Sequence, residues 1–212
     1  AIVVKSGASE GSSAGNIVLA VGKTDGVDVE GGSVIIDAGK TTGDGAEAVG
    51  GAIAITGGEG KLVTGGIVEL TAGQSETLTG GDVRLLSGTS HATQSGDVSF
   101  ASAPSVEAAA SGDIIMETGG GSSVSGSICV ATGVAQTAAG GVVMSVGTST
   151  GDAGGQVTID AGSTDALSFD GGCIQLTSGS SSNMSGGEVE ICSGSSSIGT
   201  GGSVVIASGQ SG

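Results

Sequence analysis

Few residues in this chain are of a type and spacing that could do chemistry. Its one histidine, His91, stands in the serine-rich stretch GTSHATQS. Imidazole acid–base or metal chemistry needs partners, and with no second histidine His91 reads as a surface loop residue. Glu69, Asp82 and Arg84 are the one local group of carboxylates with a cation, the kind of group a polysaccharide-cleaving β-helix would use. A salt-bridged ladder accounts for it equally, and an exposed pair of that kind contributes little, so an enzyme is not expected.

Acids also gather in TDGVDVEGG (24–32) and TGDGAEA (42–48). Calcium needs six or more convergent oxygens, and no aspartate recurs at a fixed place from copy to copy as in calcium-binding β-rolls. No cofactor or metal is therefore expected beyond adventitious calcium. The three cysteines, Cys129, Cys173 and Cys192, have no metal spacing, and an odd count is not a disulfide framework. They read as surface thiols, with cross-links to neighbouring chains as the functional alternative. Asn183-Met184-Ser185 is an N-glycosylation acceptor triplet in a connector rich in Ser. Such connectors suit a secreted, O-glycosylated chain.

The elements that would position these residues follow from an unusual composition. Among 212 residues there are 46 Gly, two Phe, one Pro and neither Trp nor Tyr, so aromatic anchors are excluded and any interior must be thin and aliphatic. With 37% hydrophobic residues the chain is too rich in Val, Ile and Leu for a disordered segment. Collagen is excluded because Gly has no three-residue period. The formal charge is −16, and the five cations (Lys5, Lys23, Lys40, Lys61, Arg84) all precede residue 85. Nucleic acid and anionic membrane surfaces are poor partners for such a chain. The dispersed acids read as a solvating surface. No apolar run is long enough to span a membrane, and AIVVKSG at the start is not a signal segment.

One unit recurs fourteen times, in its full form two glycines, then x1-φ2-x3-φ4-x5-s6 and a glycine, where φ is apolar and s small. Position 2 is Val or Ile in every copy, including Val34, Ile53, Val68, Val83, Val189 and Val204. Position 4 is apolar in all but one, including Ile36, Ile55, Leu70, Leu85, Ile191 and Ile206, with Ser145 the exception. Copies are 14 to 19 residues apart, most often 15. Period-two alternation of β-branched residues between glycines is a strand signal, and positions 2, 4 and 6 share one face.

Strands of about six residues with returns of about eight predict an all-β fold, a parallel β-solenoid forming a single domain over 1–212. These twelve residues are its expected core ladder. Position 6 is small in nearly every copy, which predicts narrowing towards the end of each strand. Glycine pairs are expected at the corners, where positive φ costs Gly nothing. Apolar residues at the outward position 3 come in runs, Val3, Val18, Ile35 and then Ile115, Cys129, Met144. Such runs stack as neighbours if one repeat makes one turn, so that register is preferred over the half turn, giving a rod of about 65 Å. The two runs are candidate lateral contacts. Both ends of the sequence fall inside the repeat, so the expectation is a segment of a longer array whose partners are itself or other solenoid chains, end to end or side by side.

Units of the form GGxVxIxSG separated by SSSxxT resemble the Gly/Ser-rich solenoid repeats of large surface proteins in diatoms and related microalgae, and the resemblance covers the whole chain. It implies an extracellular or cell-surface structural protein with no catalytic residues. The functional expectation is thus a β-solenoid rod in an extracellular filament, sheath or adhesive surface. The alternative is a binding module presenting a flat solenoid face to ice, glycan or mineral. Position 5 weakens that alternative, because Lys5, Asp37, Glu117 and Asp160 interrupt its small and hydroxyl residues.

Overall fold

The computed structural model describes residues 1–11, 13–27, 29–43, 45, 48–105 and 110–209. These residues contain no helix and no strand. The expected parallel β-solenoid, with its fourteen stacked rungs, is therefore not formed. A solenoid requires the backbone of each coil to pair along its length with the coils above and below. Among the described residues a repeat makes at most one such bond, and that bond closes its own connector.

The expected core ladder fails with it. Val34, Ile36, Ile53, Ile55, Val68, Leu70, Val83, Leu85, Val189, Ile191, Val204 and Ile206 are all exposed, and no described residue is buried. Two aliphatic side chains in each 15 residues, with no aromatic ring among them, offer little area to offset the ordering of a glycine-rich backbone. The alternation still marks the surface. Val34 at position 2 is 49% exposed against 79% for its neighbour Ile35 at position 3.

In the copy containing Ser145 the phase of this alternation moves by one residue. Val142 is 56% exposed, Val143 is 86% and Val146 is 47%. Val142, Met144 and Val146 thus take positions 2, 4 and 6, and Gly147 falls where the unit ends in glycine. Ser145 then lies at position 5, and the exception disappears.

By backbone proximity the chain divides into two units, Ala1–Ile114 and Ile115–Gly212. The first holds all five cations and two exposed ion pairs, Lys23–Asp25 at 2.7 Å and Arg84–Asp82 at 2.6 Å. Its connectors close through backbone bonds in which the glycine just before a segment, the second of a pair except at Ser95-Gly96, donates to the carbonyl of the glycine ending the preceding copy. These are Gly51 to Gly39, Gly66 to Gly58, Gly81 to Gly73 (each 2.8 Å) and Gly96 to Gly88 (3.0 Å). The second unit repeats the device at Gly172 to Gly162 (2.8 Å), Gly187 to Gly179 (2.9 Å) and Gly202 to Gly194 (2.8 Å).

Closure explains both the glycine pair and the small position 6. A Cβ built on Gly81 would lie 3.5 Å from the Ala72 Cβ and 3.3 Å from the Gly73 nitrogen, and one on Gly66 would lie 3.0 Å from the Gly58 nitrogen. The second glycine of the pair is thus seated over position 6 of the copy before it. Four of these small residues in succession, Gly57, Ala72, Ser87 and Ser102, are half-buried. Close approach, rather than a positive φ, is what the glycine pairs supply; among the described residues the positive-φ glycine is Gly11, at 83°.

A branched position 6 goes with failure of closure, although the connectors after Ser6 and Ser102 also show no such bond among the described residues. The seven closed connectors follow Ala38, Gly57, Ala72, Ser87, Ala161, Ser178 and Ser193. Val21, Thr118, Thr132 and Val146, all β-branched, precede connectors with no such bond among the described residues. The Val21 Cγ1 stands 2.5 Å from a Cβ built on Gly32, and the Val146 Cγ1 2.7 Å from one on Gly155. The branched side chain occupies the space above the glycine and holds its N–H away from the carbonyl.

Candidate functional site

The connectors carry most of the polar side-chain order. In four closed connectors a serine two residues after the closing carbonyl accepts the N–H three residues on, and Ser149 does the same for Asp152 at 3.2 Å in the unclosed connector after Gly147. Ser75 takes Leu78, Ser90 takes Thr93 and Ser181 takes Met184, each at 3.0 Å, and Ser196 takes Gly199 at 2.8 Å. Such turns satisfy backbone donors that no ladder reaches. The same slot is glycine in the connector after Gly58, where a Cβ on Gly60 would run into the carbonyl of Val63. The sequence carries this signal as G-x-S at a constant distance before the glycine pair, and counting strand positions alone misses it.

The carboxylates and cation singled out for chemistry are divided between separate local contacts. Arg84 pairs with Asp82 two residues away, while Glu69 accepts a hydrogen bond from the Thr71 hydroxyl at 3.1 Å. No Glu69–Arg84 ion pair occurs among the described residues, and those residues enclose no cavity. His91 sits exposed within the Ser90 turn, where Ser90 also meets the Thr93 hydroxyl at 3.1 Å.

Of the acids considered for calcium, Asp28, Asp44 and Glu47 lie outside the described residues, as does the 106–109 part of the connector containing Pro104. Among the described residues no three His, Cys, Asp or Glu side chains come together as a metal-binding group.

Cys129, Cys173 and Cys192 are free and exposed. The Cys192 thiol donates to Glu190 Oε1 at 3.0 Å. This bond to a carboxylate, with a smaller contribution from desolvation, raises the thiol above its ordinary range. Glu190 and Cys192 occupy positions 3 and 5 of one copy, so the pair is a product of the period-two arrangement.

The candidate lateral contacts are all exposed: Val3, Val18 and Ile35 in the first unit, Ile115, Cys129 and Met144 in the second. Met144 belongs with Val142 and Val146 on the face of positions 2, 4 and 6, because of the phase change in its copy. Asn183 lies in the connector 179–187, within the Ser181 turn, and is exposed. No described helix is long and apolar enough to cross a membrane.

The feature common to the copies is therefore an uncovered aliphatic face, beside a connector that is locally closed in seven of them. No family model, no curated protein and no solved structure matches the chain.

Proposed function

We propose that the chain is a structural protein that associates with copies of itself in an extracellular filament, sheath or adhesive surface. One observation carries the proposal: apolar segments in fourteen copies, and not one described apolar side chain buried. The accessible surface is 21015 Å², whereas a compact 19.5 kDa protein exposes about 8500 Å². The excess is several times the ~1600 Å² of a standard protein interface. Exposed aliphatic side chains recurring along the whole chain favour association.

A second copy is the partner that fits, because a surface covering these segments in phase must itself repeat every 15 residues or so. The resemblance to microalgal surface repeats, the Ser/Thr-rich connectors and the acceptor triplet at Asn183 support the extracellular setting. The charge of −16 opposes close approach of copies, and salt screens it, with a Debye length of about 10 Å at 0.1 M.

Sedimentation velocity over a range of concentration and ionic strength tests the proposal. Mass should grow with both, and Val18→Asp with Ile35→Asp should lower it at every salt concentration. A chain that stays monomeric at high concentration and high salt overturns the reading.

A further inference from the structure

We propose that Asn183 is an N-glycosylation site, taking an oligosaccharide from a polyprenyl-diphosphate donor. The inference rests on the extracellular setting proposed above, and independently on the geometry of one connector. The chain has two asparagines. Asn16 is followed by Ile17 and Val18 in an apolar segment, whereas Asn183 is followed by Met184 and Ser185. Transfer to asparagine requires an accessible amide and a free hydroxyl two residues on.

The connector meets both requirements. Its ends are drawn together by the Gly187 N–H to the Gly179 carbonyl at 2.9 Å, and Ser181 Oγ accepts the Met184 N–H at 3.0 Å. Ser181 is thus occupied by the turn, while neither the Asn183 amide nor the Ser185 hydroxyl has a hydrogen-bond partner among the described residues. Asn183, Met184 and Ser185 are all exposed. In the transfer, the bond from sugar C1 to Asn183 Nδ2 forms as the bond from C1 to the donor's diphosphate oxygen breaks. The amide nitrogen loses one proton, and the polyprenyl diphosphate leaves with the electron pair.

Purified full-length chain, incubated with an oligosaccharyltransferase and its lipid-linked donor, should gain the mass of one glycan, mapped to the peptide containing Asn183 and removed by peptide N-glycosidase. Asn183→Gln and Ser185→Ala should each abolish the gain, Ser185→Thr should retain it, and Asn16→Gln should leave it unchanged. No mass gain in the unaltered chain, or a gain that survives Asn183→Gln, overturns the assignment. Transfer in vitro needs no secretion and no association, so its failure leaves the structural reading standing, and a monomeric chain leaves the acceptor site standing.

Discussion

Replacing Ala72 by valine should open the connector that follows it. The Ala72 Cβ lies 3.5 Å from a Cβ built on Gly81, whose N–H bonds the Gly73 carbonyl at 2.8 Å. Valine adds two carbons reaching about 1.5 Å beyond that Cβ, into the space over the Gly81 backbone. Val21 and Val146 already fill the equivalent space in their own copies, and no closing bond follows either among the described residues. Loss of one backbone bond costs about 1 kcal/mol net, or about a fivefold fall in amide protection where exchange reports local opening. Hydrogen exchange by NMR, read at single glycines, measures it. Gly81 should lose protection in Ala72→Val while Gly66 and Gly96 keep theirs. The reverse substitution, Val146→Ala, should give Gly155 a bond to the Gly147 carbonyl and protection of the same order. Unchanged exchange at Gly81, or no gain at Gly155, refutes the control of closure by position 6.

Thr132→Ser should act like Val146→Ala and bring protection to Gly140, the glycine seated over position 132, since serine already permits closure after Ser87, Ser178 and Ser193. Ser196 Oγ accepts both the Gly199 N–H and, at 3.4 Å, the Ile198 N–H. Ser196→Ala should therefore speed exchange at these two residues, by a factor of about two to five for a bond worth ~0.5–1 kcal/mol, and leave Leu78 and Met184 unchanged. The Glu190 carboxylate holds the Cys192 thiol protonated, so Glu190→Gln should lower its pKa. Because the thiolate is the reactive form, alkylation of Cys192 should become faster in that variant, and its pH profile should move towards lower pH.

What the sequence made legible was the repeat and its internal phase. The lower exposure of Val34 beside Ile35 follows the period-two pattern read from the residues. What it did not settle is whether neighbouring copies pair. Alternation is a property of one segment, whereas a ladder depends on what lies beside it, and a pattern of Val and Ile between glycines is compatible with either outcome. Ser145 shows a second limit. Anchoring each copy on Val or Ile at position 2 placed Val143 there, because Val142 and Val143 are chemically equivalent choices, and only Gly147 and the exposure of Val146 distinguish them. Of the candidate site, the Asn183 triplet was readable as a motif. Its availability depends on the Ser181 turn, which a three-residue match does not contain.

Positions 2 and 4 and position 6 of the unit therefore answer to different demands. Position 6 is restrained by a neighbour within the same chain, the second glycine of the next pair, which accounts for its small residues and for the failure of closure where it is branched. Positions 2 and 4 have no such neighbour, yet they hold large aliphatic residues in nearly every copy. Solvation alone does not call for this, since polar residues would serve an exposed face better. The proposed self-association would meet this recurring apolar requirement from outside the chain. A surface formed by the same repeat in a second copy would satisfy it at every position in phase. On this account local closure spaces the aliphatic segments along the chain, and association is the step that buries them.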